Sequence, residues 1–169
     1  MLKILPLIIL IAGFILFRPI EDFPKTFPKF ETVDLDGNIF TEKIFDRKIT
    51  AIVLWTTDSE PCLEIVKNLD EDLPKNFQII GLIGNKNFDS EIVKKFSKIK
   101  NLQVNDDFYP ILSKIKTVPT VIFIDRHGNL IEPPQFVSNA KFIREELIRI
   151  SEINSPKNKL KNSLQKIFW

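Results

Sequence analysis

The chain has 169 residues, of which 44% are hydrophobic and 27% are charged, and its formal net charge is +2. This balance is typical of one globular domain with short appendages and excludes a wholly disordered chain. The small net charge, without a basic patch interleaved with aromatic residues, argues against nucleic acid as a partner. One cysteine, Cys62, excludes an intramolecular disulfide and a cysteine-based zinc cluster.

Residues 1–20 (MLKILPLIILIAGFILFRPI) form a hydrophobic block. The block reaches the length that spans a bilayer if Lys3 and Arg18 extend to the two interfaces. The residues after its apolar core are not small, as a signal-peptide cleavage site would require. We therefore expect an uncleaved signal anchor, with a cleaved signal peptide and a buried helix as alternatives. Residues 21–29 contain two prolines and alternating charges and are expected to form an extended linker.

A domain is expected over residues 30–153. Two short alternating runs meet at Asp36-Gly37, which predicts a β-hairpin. Residues 50–56 are apolar and rich in β-branched side chains, as in a strand buried on both faces. Helical spacing over Cys62, Leu63, Val66 and Leu69, ended by Pro74, and a second apolar run over residues 77–84 complete a parallel β-α-β unit.

The later part of the domain reads as helix, helix, hairpin and helix. Ser90 is expected to cap a helix whose apolar side carries Ile92, Val93, Phe96 and Ile99. Residues 105–116 are expected to form one short helix, and residues 117–132 a hairpin that turns at 127–129, which makes the only histidine, His127, a solvated turn residue. Asn139 is expected to cap a last helix that turns Ile143, Leu147 and Ile150 inward. The order predicts an α/β fold with a mixed central sheet and helices on both faces.

Several segments together resemble the thioredoxin fold, and more narrowly the membrane-anchored TlpA/ResA-type redoxins. They are DLDGN, IVLWTT, SEPC, VPTVIFID and HGNLI. The resemblance covers about residues 30–152 and implies thiol–disulfide chemistry, no cofactor and no metal. It also favours a domain on the extracytoplasmic side of the membrane, since the positive charges around the hydrophobic block do not fix its orientation.

The resemblance implies specific site residues. Pro119 matches the cis-proline of the family, which faces the active-site cysteines and offers backbone to a bound peptide. Cys62 matches the second, resolving cysteine, whereas Ser59 stands where the first, nucleophilic cysteine is expected. The implied substrate groove adds Trp55, Glu60, Pro61 and Val118.

Ser59 removes the family's dithiol couple, because a hydroxyl neither ionises readily nor forms a disulfide. Without catalysis, Ser59 can act as a helix N-cap that accepts the backbone amide of Cys62. Cys62 itself is either a buried, inert residue or a single reactive thiol, since its helical position favours thiolate and apolar surroundings favour thiol. Ser59 and Cys62 also fit the end of the peroxiredoxin pattern P-x-x-x-T/S-x-x-C, but Trp55 occupies the place of its proline.

Residues 154–169 form a basic segment whose apolar stripe ends in Phe168 and Trp169. This segment could lie on an anionic membrane, dock on its own domain or remain a frayed tail. The sequence therefore indicates a membrane-anchored thioredoxin-like protein with at most single-thiol exchange, acting on protein thiols or peptide segments. The alternatives are a non-catalytic peptide-binding or protein-binding module and a one-cysteine peroxidase.

Overall fold

The computed structural model describes residues 23–69, 73, 75–96 and 99–153. The expected anchor over residues 1–20 and the expected tail over residues 154–169 lie outside these ranges. Within the described ranges, no helix combines the length and the apolar character needed to cross a bilayer.

A five-stranded mixed sheet forms the centre of the domain. The domain begins with a separate hairpin of β1 (Glu31–Val33) and β2 (Ile39–Thr41), and the central sheet follows as β3 (Ile49–Trp55), β4 (Phe77–Ile83), β5 (Lys100–Gln103), β6 (Thr120–Ile124) and β7 (Gln135–Phe136). The strand order is β5-β4-β3-β6-β7, with β3, β4 and β5 parallel, β6 antiparallel to β3, and β7 antiparallel to β6. The predicted parallel β-α-β unit and the mixed sheet are confirmed.

The helices are α1 (Glu60–Asn68), α2 (Ser90–Lys94), α3 (Tyr109–Leu112) and α4 (Ala140–Ile153), with 3-10 turns over Glu42–Phe45 and Asp106–Phe108. Alternate side chains of β3 enter two hydrophobic clusters, because successive residues of a strand point to opposite faces. Val53 and Trp55 join the cluster under α1 and α4. Ile52 and Leu54 join the opposite cluster, which contains Phe27, Phe30, Phe45, Phe108 and Ile111.

The hairpin turns where the sequence predicts. Gly37 has φ +78°, the left-handed conformation in which glycine has no steric penalty. The hairpin then docks along β5, where Asp34 forms a bridge with Leu102 and the Thr32 hydroxyl donates to the Gln103 carbonyl at 2.5 Å. One margin of the sheet is therefore covered by an earlier part of the chain.

The segment expected as an extended linker packs on the domain over its described part. The Phe27 amide donates to the Gly128 carbonyl at 2.8 Å, and the Leu130 amide donates to the Lys25 carbonyl at 2.9 Å. The Phe27 side chain is only 6% exposed, and its ring packs edge-on against Phe45. Burial of Phe27 and a short run of backbone bonds therefore hold the described part of residues 21–29 against the domain.

Strand β5 is absent from the sequence prediction, which placed only helices between β4 and β6. Its residues Lys100 and Asn101 are poor strand formers. The amide nitrogen of the Asn101 side chain is satisfied locally, because it donates to the carbonyls of Phe96 and Ile99 at 3.1 and 3.2 Å. It also lies across Gly81, its partner in β4, where an added Cβ would meet Asn101 Oδ1 at 2.1 Å. A missing side chain in one strand thus makes room for a polar side chain in the next.

Three local expectations differ in detail. Asp89, not Ser90, caps α2, because its carboxylate accepts the amides of Glu91 and Ile92. α2 ends at Lys94, so Ile99 lies beyond it, and the single helix expected over residues 105–116 is a 3-10 turn followed by α3. The hairpin after β6 returns through a bridge at Leu130 and pairs again only at β7. The cap of α4 is confirmed, since Asn139 Oδ1 accepts the Phe142 amide at 2.9 Å.

Candidate functional site

The candidate site begins at the first turn of α1. Ser59 is the N-cap residue, with extended backbone at φ −114° and ψ 111°, and its carbonyl accepts the Leu63 amide at 3.0 Å. Glu60 and Pro61 form the exposed start of the helix. A proline is well placed there, because the first helical amides have no partner within the helix. The negative charge of Glu60 also suits the positive end of the helix dipole.

Ser59 does not cap the helix with its side chain. The expected bond from the Cys62 amide to the Ser59 hydroxyl is therefore wrong, although the position of the cap is right. Only the Ser59 backbone therefore caps the start of α1, through its carbonyl bond with the Leu63 amide.

Cys62 lies in the first turn of α1 and is a free cysteine with 0% of its surface exposed. It belongs to the apolar cluster that includes Trp55, Ile65 and Val66. A thiolate acts as nucleophile only where a reagent can reach it. Of the two alternatives for Cys62, the structure favours the buried and inert one.

The loop between β3 and α1 is held by Thr57, which the sequence reasoning missed. The Thr57 hydroxyl accepts the Asp89 amide at 3.1 Å and the Asn85 side-chain nitrogen at 3.2 Å. Thr57 is 7% exposed, so these bonds satisfy a buried polar group. They tie the loop that carries Ser59 to the segment after β4, and the only sequence signal for them is the polar run at 84–89.

Pro119 opens β6 at the same end of the sheet. The Val118–Pro119 bond is cis, as the family resemblance implies. Thr120 pairs with Leu54, so the start of β6 lies beside the end of β3, and α1 begins a few residues beyond that end. We call this end of the sheet, with residues 57–62 and 117–120, the site edge.

The residues of the site edge differ in how far they face solvent. Pro119 is buried, and its carbonyl accepts the Val137 amide at 3.1 Å. Val118 is half-buried and contacts both hydrophobic clusters. Glu60 and Pro61, with Asp58, present exposed and largely acidic surface. Backbone and acidic side chains, more than an apolar pocket, therefore characterise this edge.

Trp55 does not line the expected groove. Its side chain is 0% exposed and meets the ring of Phe96 edge-on, with ring centres 5.9 Å apart. The physical reason is the alternation of β3, which directs Trp55 into the cluster that also holds Cys62. Its indole nitrogen has no hydrogen-bond partner, and neither does Asn101 Oδ1, the other polar atom above Gly81.

His127 lies in an exposed turn, where its backbone amide donates to Asp125 Oδ1 at 2.8 Å. This agrees with its interpretation as a solvated turn residue. Among the residues that the structure describes, no group of three or more histidine, cysteine, aspartate or glutamate side chains could hold a metal ion.

Solved structures with the same architecture are thioredoxin-like proteins. The thioredoxin domain of a thiol-disulfide oxidoreductase from Bacteroides vulgatus matches with a TM-score of 0.58 and 16% identity, over 75% of this chain and 98% of that one. An exposed lipoprotein thioredoxin from Streptococcus pneumoniae matches with a TM-score of 0.59 and 19% identity, over 72% and 98%. A thioredoxin-family thiol:disulfide interchange protein from Chlorobium tepidum matches with a TM-score of 0.59 and 18% identity, over 77% and 97%.

The domain therefore has the thioredoxin fold. No protein-family model matches the sequence, and no curated protein matches it in sequence. The narrower TlpA/ResA-type resemblance accordingly stays a hypothesis that rests on the motifs quoted above.

Proposed function

We propose that the chain is a membrane-anchored, extracytoplasmic thioredoxin-like protein that serves thiol–disulfide processes by binding polypeptide at its site edge, without redox turnover. The observation that carries the proposal is the state of the two motif positions. Ser59 replaces one thiol, and Cys62 is fully buried. The fold supports the thiol–disulfide context, because the solved structures with this architecture include thiol-disulfide oxidoreductases.

A dithiol cycle needs a first thiolate that attacks a substrate disulfide and a second that resolves the mixed disulfide. Ser59 cannot form the mixed disulfide, and the buried Cys62 sulfur cannot be reached without an opening of the first turn of α1. Binding needs neither thiol. The acidic rim of Asp58 and Glu60 favours a partner segment that carries positive charge.

The test is the accessibility of Cys62 in the full chain in detergent or vesicles. With a global stability of about 5 kcal/mol, a thiol that reacts only after opening is modified a few thousand-fold more slowly than an exposed one. An Asp58→Cys variant provides an internal control, because its added thiol is exposed in the loop just before α1. We expect one fast and one very slow thiol in that variant.

A second measurement addresses turnover. The wild-type chain is expected to show negligible reduction of insulin disulfides, whereas Ser59→Cys is expected to gain measurable turnover because it restores the two-thiol motif. Rapid modification of Cys62 in the native wild type, or an insulin-reduction rate like that of a two-cysteine thioredoxin, would overturn the proposal.

Single-thiol exchange is the second candidate, and the position of Cys62 in the first turn of α1 favours it. In that case Cys62→Ala abolishes the formation of mixed disulfides with a thiol partner. If the chain is instead a non-catalytic binding module, Cys62→Ala still binds its partner. A one-cysteine peroxidase is the least supported reading, because peroxide must reach the sulfur, which is buried.

A further inference from the structure

The chain enters the domain at the end of the sheet opposite to the site edge. In the register of β3 and β6, Leu54 pairs with Thr120 at one end and Thr50 pairs with Ile124 at the other. The turn after Ile124 holds the incoming N-terminal segment, through the bonds of Lys25 and Phe27 described above. We call this end, with residues 25–29, 42–48 and 125–130, the entry edge.

We propose that the entry edge docks on the anionic surface of the membrane and that the site edge faces away from the bilayer. The inference rests on the anchor assigned to residues 1–20 in the proposed function, and it adds the orientation of the domain and the surface that contacts lipid. Three observations carry it: the length of the tether, the distribution of charge, and the span of the sheet.

The tether is short. Lys25 is fixed to the domain by its carbonyl bond to the Leu130 amide, so only four residues, 21–24, separate it from the end of the hydrophobic block. Such a segment reaches at most about 17 Å when fully extended. The site edge lies about 20 Å from the entry edge, because β3 spans that distance. An inverted domain, with the site edge on the bilayer, would require a longer tether.

The charge of the entry edge suits anionic headgroups. Its exposed basic residues are Lys25, Lys29, Lys43, Arg47, Lys48 and Arg126. Its acidic residues are fewer, namely Glu42, Asp46 and Asp125, and the last accepts bonds from its own turn. Lys29, Lys43 and His127 line one cleft of about 420 Å³ on this surface, together with Glu42 and Asp46. Each basic residue near an anionic bilayer contributes about 1 kcal/mol of attraction.

The site edge is more acidic. Asp58 and Glu60 are exposed there, and Asp106 and Asp107 follow β5 at the same end of the parallel strands, with Lys86 and Lys116 as basic neighbours. An anionic surface repels this edge and attracts the entry edge. The charges at both ends of the sheet therefore favour the same orientation of the domain on the membrane.

The single buried cysteine makes the orientation measurable by labelling. The full chain is reconstituted into phosphatidylcholine vesicles that contain a minority of phosphatidylglycerol and a lipid with a quencher on its headgroup. A fluorophore is attached to His127→Cys at the entry edge or to Asp58→Cys at the site edge. The wild-type chain, whose Cys62 is buried, controls for background labelling.

We expect quenching several-fold stronger at position 127 than at position 58, because the two edges differ in depth by about 20 Å. In the 127-labelled chain, the triple variant Lys29→Glu, Lys43→Glu and Arg126→Glu is expected to lower quenching at least about twofold. The matched control is Lys86→Glu, Lys95→Glu and Lys116→Glu, which also reverses three exposed basic residues but lies outside the entry edge, and it is expected to leave quenching unchanged.

Equal or stronger quenching at position 58 would overturn the orientation. Equal effects of the two triple variants would overturn docking through the basic residues. A chain that does not enter vesicles at all would remove the anchor and this inference together. The thiol-accessibility and insulin measurements can be made in detergent without vesicles, so they test the absence of redox turnover separately.

Discussion

Thr57 offers a direct test of how the site edge is held in place. Thr57→Val retains the branched shape of the side chain but removes the hydroxyl that accepts the Asp89 amide and the Asn85 side chain. Each bond contributes about 1 kcal/mol, and the donors left in a partly buried position add to the loss. We expect the free energy of unfolding, measured by urea denaturation of the full chain, to fall by about 2–3 kcal/mol.

The same variant should expose Cys62 more often, because the loop that Thr57 anchors leads directly into α1. If opening is fast compared with modification, a loss of about 2–3 kcal/mol accelerates the reaction of Cys62 with a thiol reagent by about 30- to 150-fold. Thr57→Ser is the matched control, since it keeps the hydroxyl and loses only a methyl group, at a cost of about 1 kcal/mol. Equal losses in the two variants, or a change below about 0.5 kcal/mol in Thr57→Val, would refute the role of the hydroxyl.

Three further predictions concern stability. Phe27→Ala is expected to lower the free energy of unfolding by about 3–5 kcal/mol. Phe136→Ala, at a side chain that is 59% exposed, should change it by less than about 1 kcal/mol. Equal losses in the two variants would contradict the packing of residues 23–29 on the domain. Asn139→Ala should lower the free energy of unfolding by about 1 kcal/mol, because the cap of α4 is lost, whereas Asn139→Asp should retain most of the capping energy. Thermal unfolding followed by circular dichroism compares the stabilities of the two variants. Burial acts to raise the pKa of Asp125, but hydrogen bonds, first from the Asn129 side chain, outweigh it and lower the pKa below its usual value. The ionised Asp125 therefore stabilises the fold above its unfolded-state pKa of about 3.9, and this stabilisation is lost as the pH falls through the folded-state pKa. Asp125→Asn should make the free energy of unfolding less dependent on pH in the acid range.

The sequence predicts the parts of this fold whose signal is local. The apolar runs of β3 and β4 and the helical spacing of Ile143, Leu147 and Ile150 are sufficient, because burial on one or two faces imposes a period on the chain itself. The turn at Gly37 is equally local, since its positive φ selects glycine.

Strand β5 shows where local signal fails. Asn101 has no strand preference of its own, and its place depends on the missing side chain of Gly81 and on the carbonyls of Phe96 and Ile99. The two carbonyls are near in sequence, but Gly81 belongs to another strand, so the place of Asn101 depends on a tertiary contact.

The candidate site was predictable in its positions but not in its exposure. The motif resemblance placed Ser59, Cys62 and Pro119 at one end of the sheet, and the register of β3 and β6 agrees. Whether Trp55 and Cys62 face solvent or core depends on which face of the sheet α1 covers. That information lies in packing, which a single sequence does not report.

The two margins of the sheet have a consequence for self-association. Exposed strand edges are templates on which another molecule can extend a sheet. Along β5 the docked hairpin occupies this position, while β7 pairs over only Gln135 and Phe136 and is preceded by two prolines that donate no hydrogen bond. Glu132, just before those prolines, bonds to Arg149 of α4 and so ties this margin to the body of the domain. Such margins keep neighbouring domains from joining edge to edge into larger assemblies.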